Sequence, residues 1–392
     1  MIARLRRLAS VLALAALTAA TGCVATPGGG RAPGALADPD LGRPMLRLRW
    51  RLVTSDRARE LRPQEFASSA RVGDHVYTGS GGGRFFALSA VDGRVRWQEQ
   101  IGRVSSRPAV AGTMIYVGTD DGELVALDLQ TGKVAWRHES RGPILESPFI
   151  VGDLLLYSNE ADQVYALDAR KGTPRWSYKG ETPEEYTLRG HAGITVSGDL
   201  AFTGFANGTM VALRVETGSV AWLTTLKGES DRFVDVDGTP VVLGDTVYVT
   251  SSSGGLWAID TTTGLVRWRV QLEGATASAG VGAAGGLASD GERLYLAAAD
   301  LGIYALDLDG NTLWRQGTRG GGEPATPIVT DSLLIYTLAD AGVFIADKRT
   351  GELLEYFDPG DGVSGDPTVV EEQELYVLSN RGVLYALDLR AL

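Results

Sequence analysis

Few residues of this chain have the types and spacing that catalysis or metal binding requires. The 392-residue sequence has one cysteine, and its three histidines, His75, His138 and His191, are far apart. A single cysteine can form neither an intrachain disulfide nor a cysteine-based zinc site, and dispersed histidines do not suggest a metal centre. Gly-x-Ser-x-Gly, Walker-type and His-Glu-x-x-His motifs are also absent from the sequence. We therefore predict no catalytic residues, no metal site and no cofactor.

Acidic and glycine-rich segments are the remaining candidates for ion or phosphate binding. Residues 235–238, Asp-Val-Asp-Gly, have part of a calcium-loop pattern, but the third oxygen ligand and the closing Glu are missing. The glycine-rich segments 79–83 and 319–323 have no helix predicted after them, so neither is expected to hold a phosphate. An Asp also recurs after an Ala-Leu pair or its equivalent, at Asp128, Asp168, Asp260, Asp307, Asp347 and Asp388. This regular placement favours a turn cap that accepts hydrogen bonds from nearby backbone.

The only cysteine lies at the end of an N-terminal export signal. Three arginines in the first seven residues precede a largely apolar run at 8–20, which is shorter than the roughly 20 residues of a spanning helix. The run leads into Ala-Thr-Gly-Cys, which resembles the lipobox of bacterial lipoproteins, where the cysteine is diacylated and becomes the new N-terminus. We predict a lipoprotein signal peptide at 1–22 and lipidation of Cys23. An ordinary secretory signal with an incidental cysteine is the alternative.

The chain that follows the signal divides into a tether and one domain. Val24 stands where inner-membrane lipoproteins of Gram-negative bacteria carry Asp, so it implies sorting to the outer membrane. Residues 23–45 are rich in Pro and Gly without an apolar period, which predicts a flexible lipidated tether. The predicted domain comprises residues 46–392. The net charge of −11 argues against nucleic-acid partners and against adsorption to anionic lipid, which leaves the lipid anchor as the membrane contact.

One phrase recurs eight times along the domain. It consists of two apolar residues, Ala-Leu-Asp, a short turn with Thr-Gly, and then Val-x-Trp, with weaker seventh and eighth copies. Its alanine position falls at residues 87, 126, 166, 212, 258, 305, 345 and 386, so the period is 39 to 47 residues. Within each unit, short β-branched and aromatic runs are separated by turns that use many of the 51 glycines. The pattern is typical of the four-stranded blades of a β-propeller.

A tryptophan occupies one slot of six units, at Trp97, Trp136, Trp176, Trp222, Trp268 and Trp314. We interpret this series as inter-blade packing, and Glu355 takes the slot in the seventh unit. The eighth unit ends at Leu392 before its tryptophan strand, while a matching strand surrounds Trp50 at 45–52. We predict an all-β, eight-bladed β-propeller of four-stranded antiparallel blades, closed by the N-terminal strand joining the last blade. The glycine- and alanine-rich segment 273–291 is expected to be a loop.

The repeat is similar to the pyrroloquinoline-quinone-like propeller repeat. Quinoprotein dehydrogenases share this repeat and also have eight blades, but they are much longer and commonly carry a vicinal cysteine pair near the cofactor. The one cysteine of this chain belongs to the predicted anchor. A quinone- or ligand-binding propeller enzyme or sensor, in the periplasm or on the cell surface, therefore stays open as the alternative function.

Two stretches give a more specific resemblance. Residues 186–190, Tyr-Thr-Leu-Arg-Gly, precede the fourth blade, and residues 231–237, Asp-Arg-Phe-Val-Asp-Val-Asp, lead into the fifth. Both resemble loops of the BamB family of outer-membrane protein assembly factors, which are lipidated eight-bladed propellers of about this length. In that family the two loops bind the third periplasmic POTRA domain of the barrel-inserting protein BamA. The resemblance implies these partner-binding residues: Tyr186, where the family has Leu, together with Leu188, Arg189, Asp235 and Asp237.

The same residues make physical sense as an interface. Loops that precede consecutive blades lie next to each other on one face of the ring, and an exposed apolar anchor beside an arginine is typical of binding hot spots. The alternative is that Asp235 and Asp237 only cap the turn into the strand and that Leu188 packs beneath its loop.

The resemblance implies a non-enzymatic scaffold lipoprotein, monomeric by itself and anchored at the periplasmic face of the outer membrane. It would dock on BamA in the β-barrel assembly (BAM) complex and assist the folding and insertion of outer-membrane proteins. Blade edges could also receive unfolded outer-membrane proteins by strand addition, although the sequence does not single out an edge. A surface lipoprotein of an organism without an outer membrane is a further alternative.

Overall fold

The computed structural model describes residues 44–55, 60–61, 63–181, 192–227, 235–236, 238–252, 255–272, 284–299, 302–318 and 320–390. All regular secondary structure in these ranges is β, in 32 strands that form eight four-stranded antiparallel sheets. No helix within them is long and apolar enough to span a bilayer. The predicted eight-bladed, all-β propeller is therefore confirmed. Cys23, the predicted signal peptide and nearly all of the predicted tether lie outside the described residues.

Strand β1 (Leu46–Val53) precedes the first four blades in the chain. Blade 1 contains β2 (Ser69–Val72), β3 (His75–Thr78), β4 (Arg84–Ser89) and β5 (Val95–Gln100). Blade 2 contains β6 (Ala109–Ala111), β7 (Met114–Gly118), β8 (Glu123–Asp128) and β9 (Val134–Glu139). Blade 3 contains β10 (Phe149–Val151), β11 (Leu154–Asn159), β12 (Gln163–Asp168) and β13 (Pro174–Lys179). Blade 4 contains β14 (Thr195–Ser197), β15 (Leu200–Gly204), β16 (Thr209–Arg214) and β17 (Val220–Thr225).

The other four blades repeat this order, and the last of them uses β1. Blade 5 contains β18 (Val241–Leu243), β19 (Thr246–Thr250), β20 (Gly255–Asp260) and β21 (Val266–Gln271). Blade 6 contains β22 (Ala284–Ser289), β23 (Arg293–Ala298), β24 (Gly302–Asp307) and β25 (Thr312–Gln316). Blade 7 contains β26 (Ile328–Val329), β27 (Leu333–Thr337), β28 (Val343–Asp347) and β29 (Leu353–Phe357). Blade 8 contains β30 (Thr368–Val370), β31 (Glu374–Leu378) and β32 (Val383–Leu389), with β1 as its outer strand.

The repeat phrase folds into the third and fourth strands of a blade. In blade 2, the fully buried Ala126 of β8 pairs with Trp136 of β9, and the register shifts beside this pair in a β-bulge. The turn between these strands has Gly132 at a φ of 72°, a left-handed conformation that favours glycine. The carboxylate of Asp128 accepts the Thr131 amide hydrogen with an N–O distance of 2.8 Å. Equivalent amide contacts at Asp168, Asp260, Asp307 and Asp347 confirm the predicted turn cap at five positions. The prediction is wrong for Asp388, whose carboxylate accepts a hydrogen bond from the Arg49 guanidinium.

The tryptophan slot joins each blade to the next one. The indole N–H of Trp176 donates to the Val215 carbonyl, and that of Trp222 donates to the Thr261 carbonyl, both at 2.8 Å. A Cβ on the turn residue Gly218 would lie 2.5 Å from the Trp176 ring, so the ring lies directly on the turn of the next blade. The same indole-to-carbonyl bond is made by Trp50, Trp97, Trp136 and Trp314. The predicted inter-blade packing is confirmed.

The two ends of the chain close the ring. Strand β1 pairs antiparallel with β32, and Leu46 lies opposite Leu389. In blade 7, Glu355 replaces the tryptophan, and its buried carboxylate accepts the amide hydrogens of Met45 and Leu46. Burial raises the pKa of Glu355 to about 6, against the opposing effect of these two amide bonds. Glu355 therefore joins blade 7 to the N-terminal strand by hydrogen bonds rather than by ring packing.

The expectation that residues 273–291 form a loop is wrong for part of this segment. Residues Ala284–Ser289 form β22, the inner strand of blade 6, which pairs with β23. A Cβ on Gly286 would lie 2.0 Å from Thr326 Oγ1 of blade 7. Small residues are used here because the blades approach each other most closely near the ring axis, where a side chain would collide with the next blade.

Candidate functional site

The two predicted partner-binding loops open on the same face of the ring. One joins β13 to β14 and the other joins β17 to β18, so each leads from an outer strand to the inner strand of the next blade. Four of the five predicted residues lie outside the described residues: Tyr186, Leu188, Arg189 and Asp237. Asp235 is described, as are the chain segments at the bases of both loops.

Asp235 lies at the base of its loop with a fully buried side chain. Its carbonyl accepts the Ser252 amide hydrogen at 2.9 Å, which attaches this segment to blade 5. The next residue, Val236, donates its amide hydrogen to the Phe205 carbonyl of blade 4 at 3.2 Å and is also fully buried. A Cβ on Gly204 would lie 2.2 Å from Val236 Cγ1, so glycine is required beside this valine. The 235–236 segment is thus bound to both blades.

The bases of the two loops are hydrogen-bonded to each other. Thr239 Oγ1 accepts the amide hydrogen of Gly193 at 3.1 Å and lies 3.4 Å from Glu146 Oε2, to which it donates. Thr195 Oγ1 donates to the Pro240 carbonyl at 2.5 Å. Gly193 follows the first loop, and Thr239 follows the second. The residues at which the two loops end and blades 4 and 5 begin are therefore held side by side.

These contacts lie beside the ring axis. The inner strands of neighbouring blades contact each other around the ring. Propeller blades surround a central channel, so the residues that precede these strands lie at one end of it. Arg107 of blade 2 donates to the Pro367 carbonyl of blade 8 at 3.0 Å. Asp366 Oδ1 accepts the Thr326 amide hydrogen at 2.8 Å. Together with Glu146, these side chains bring two carboxylates and one guanidinium to the channel mouth.

Glu146 has an unusual protonation equilibrium in this cluster. Burial raises the pKa of its carboxyl to about 7, and the negative charge of Asp366 adds to the rise. The hydrogen bond from Thr239 and the positive charge of Arg107 act in the opposite direction. The Glu146 carboxyl therefore exchanges its proton close to neutral pH, at the point where the two loop bases meet.

Sequence reasoning did not identify Gly193, Glu146 or Thr239 as site residues. Glu146 could have been noticed by aligning the eight repeats with one another, because the other seven repeats have a small residue at its position. These residues are Ala67, Ser106, Ala192, Gly238, Gly285, Ala325 and Gly365. No comparable signal exists for Gly193 or Thr239, because glycine and threonine are common near blade starts.

Metal-ligating clusters and cavities are the other features of the described surface that could hold a small ligand. No group of three or more His, Cys, Asp or Glu in the described residues is arranged to hold a metal ion. A shallow cavity of about 300 Å³ lies between blades 6 and 7 on the opposite face of the ring. On that face, turns connect the first strand of each blade to the second and the third strand to the fourth. The cavity is lined by Asp290, Glu292, Arg293, Asp331, Ser332, Asp347, Lys348 and Arg349. Its mixed charges, including the Lys348–Asp290 ion pair, largely balance one another.

Comparisons with known proteins give one matching family and several solved structures of similar fold. The family model described as outer membrane protein assembly factor BamB matches residues 102–264 and 243–390. A curated protein of that name from Kangiella koreensis is 43% identical over 61 residues, which is 14% of this chain and 16% of the relative. The match thus spans about a sixth of that relative's length.

Solved structures share the propeller fold. The crystal structure of BamB from Moraxella catarrhalis has a TM-score of 0.72 at 22% identity, over 88% of this chain and 99% of that chain. The quinohemoprotein alcohol dehydrogenase of Comamonas testosteroni has a TM-score of 0.66 at 15% identity, over 88% of this chain and 76% of that chain. At these identities the likeness shows the common fold, which is shared by BamB and by an alcohol dehydrogenase.

Proposed function

The chain belongs to the family of outer membrane protein assembly factor BamB, and from this premise we propose that it is a non-enzymatic scaffold of the BAM complex. In this role it docks on the periplasmic POTRA region of BamA and assists the folding and insertion of outer-membrane proteins. Because a propeller fold also serves as an enzyme, the fold by itself does not distinguish these roles. The proposal depends on the family and on the site.

One observation carries the docking proposal. The hydrogen bond between Gly193 and Thr239 holds the bases of two loops side by side on one face. Two adjacent loops give a partner a broader surface than either loop alone, and an interface needs such a contiguous patch to exclude water from its central contacts. In this proposal Tyr186 and Leu188 supply the apolar contacts, and Arg189 and Asp237 supply the charged ones. Asp235, which is buried, holds the base of its loop.

The docking proposal is tested by affinity capture of the tagged, full-length protein from native membranes, with BamA measured in the eluate. We expect BamA with the native protein and at least a fivefold loss with Leu188→Ala, Arg189→Ala or Asp237→Ala. Arg349→Ala, an exposed arginine on the opposite face, is the matched control and should retain BamA. Native yields from all three loop variants, with circular dichroism unchanged, would remove the site assignment.

The membrane contact is proposed to be the lipid on Cys23 alone. The described residues include no membrane-spanning helix, and the sequence before Cys23 resembles a lipoprotein signal. Cys23→Ser should move the protein from the membrane fraction to the soluble periplasmic fraction. Mass spectrometry of the native mature N-terminus should find a diacylated cysteine, and an unmodified N-terminus would contradict the proposal.

A further inference from the structure

The outer strand of every propeller blade has one free edge. A free edge presents backbone N–H and C=O groups that have no partner in the sheet, so it can pair with another extended chain. Charged side chains and proline on the edge strand discourage such pairing. Seven of the eight described outer strands contain a charged residue, and β13 also begins with Pro174. Among them, β17 alone has neither, with the sequence Val-Ala-Trp-Leu-Thr-Thr.

The free edge of β17 can be assigned to particular residues. Leu226, directly after the strand, donates its amide hydrogen inward to the Gly208 carbonyl at 2.7 Å. Because backbone groups alternate in direction along a strand, the amides and carbonyls of Leu223 and Thr225 point away from the sheet. The side chains of Val220 and Leu223 are 45% and 47% exposed. This edge therefore combines outward-facing backbone with apolar side chains.

The apolar surface continues onto the neighbouring blade. Thr224 Oγ1 donates to the Gly264 carbonyl in the turn before β21, at 2.5 Å. The two residues that follow this turn glycine, Leu265 and Val266, are 69% and 41% exposed. Strand β17 also runs directly into the loop that carries Asp235. The uncharged edge therefore adjoins the proposed BamA-binding surface in the chain.

We propose that the free edge of β17 binds an extended, uncharged segment of another polypeptide by strand addition. Backbone hydrogen bonds at Leu223 and Thr225 would supply the pairing, and the exposed apolar side chains would select a segment with apolar residues at alternate positions. A segment with charged residues on that face would lose their hydration against Val220 and Leu223 without gaining an ion pair on β17. Alternation of apolar and polar residues is the pattern of a membrane-spanning β-strand, and such a segment whose apolar residues face β17 fits this requirement.

This inference deepens the proposed function, since it gives the substrate-binding step a location next to the BamA-docking loops. Strand addition depends on the edge of β17, whereas BamA docking depends on the two loops, so either kind of binding can be absent without the other. Loop variants should leave segment binding unchanged, and edge variants should leave BamA capture unchanged.

The test uses the full-length protein in detergent and an end-capped, fluorescein-labelled ten-residue peptide in which Thr alternates with Val or Tyr. We expect saturable binding by fluorescence anisotropy and at least a tenfold weaker affinity for Leu223→Pro, which removes one outward amide hydrogen. The matched control is Gln98→Pro in β5, whose amide also points outward because Ile101 donates inward to the Gly83 carbonyl. This control should bind the peptide within twofold of the native protein.

Amide hydrogen exchange gives a second readout that does not require a variant. At saturating peptide, exchange at Leu223 and Thr225 should slow at least tenfold, while exchange at Gln98 and Gln100 should not change. If Leu223→Pro fails to fold, Leu223→Lys takes its place, with the same expected loss. Absence of saturable binding, protection at another edge, or native affinity in both Leu223 variants would overturn the proposal. A dimer paired through β17 that excludes the peptide would also overturn it.

Discussion

Gly193 is a residue whose identity follows from its contacts. A Cβ at this position would lie 2.5 Å from Thr239 Oγ1, so one of the two atoms would have to move, and it would lie in tight contact, 3.0 Å, with Glu146 Oε2. A side chain there must break the hydrogen bond that joins the two loop bases. The position thus connects a local steric requirement with the arrangement of the proposed docking surface.

We expect Gly193→Ala to lower the free energy of unfolding by about 1–3 kcal/mol and to reduce BamA capture more than its stability loss explains. The matched control is Gly317→Ala, because a Cβ on Gly317 meets no atom within 4 Å and its backbone is not left-handed. Urea denaturation and the capture assay measure the two effects. Equal results for the two alanine variants would contradict this role for Gly193.

Glu146 is predicted to make stability depend on pH. Its pKa in the folded protein is about 7, above the ordinary value of 4.5, so the folded state binds this proton more tightly than the unfolded state. The associated stabilisation is fully present below pH 4.5 and is lost as the pH rises to about 7. One unit of pKa difference corresponds to about 1.4 kcal/mol, so the rise from 4.5 to about 7 gives a total effect on the order of 3–4 kcal/mol.

Glu146→Gln keeps a hydrogen-bond acceptor for Thr239 but cannot ionise. We expect this variant to gain stability over the native protein at pH 8 and to show a smaller change between pH 5 and pH 8. Thermal unfolding at both pH values measures the difference. The neighbouring Asp366 and Arg107 remain in the variant, so parallel pH profiles of the two proteins would show that Glu146 is not the titrating group.

At the scale of elements, strand β1 shows how the ring closes without a tryptophan in blade 7. Strand β1 pairs with β32 in blade 8. On the side of blade 7, Glu355 accepts hydrogen bonds from the amides of Met45 and Leu46 in the N-terminal segment. A buried amide without an acceptor costs about 1–3 kcal/mol. The closure therefore depends on a carboxylate whose partners lie about 310 residues away in the chain.

We expect Glu355→Ala to destabilise the protein by about 2–4 kcal/mol and to speed amide exchange in β1 more than in β5. Glu355→Gln should cost less, because its side-chain oxygen can still accept one of the amide hydrogens. Hydrogen exchange by mass spectrometry separates local opening of β1 from global unfolding. Equal acceleration in both strands would show that Glu355 has no special role in closure.

At the scale of the whole molecule, the propeller is shared with quinone-dependent enzymes, so the channel must be tested directly. The described channel mouth is occupied by Arg107, Glu146 and Asp366, and all three side chains already bond to other blades. We expect no saturable binding when the full-length protein is mixed with pyrroloquinoline quinone and Ca²⁺. Isothermal titration calorimetry measures this, and saturable, stoichiometric binding would favour the enzyme or sensor alternative.

Much of the fold could be predicted from the sequence, because its information is local and repeated. The Thr-Gly turn before each tryptophan strand, the Asp128 turn cap and the alternating buried positions each depend on residues within one blade. Their eight repetitions predicted the blade number and strand count. Segment 273–291 was misread because glycine and alanine usually indicate a loop, whereas Gly286 is needed for close packing against Thr326.

The sequence by itself determined the repeat, the four-stranded blades, the use of tryptophan between them and closure by the two ends of the chain. The tertiary structure decided which distant residues meet. Glu355 meets Met45, Glu146 meets Thr239, and Gly193 lies against Glu146 and Thr239. It also decided that the Leu223 backbone faces outward from an uncharged edge. The physical reason is that turns and strand alternation depend on neighbours in the chain, whereas channel and edge contacts exist only after the ring has closed.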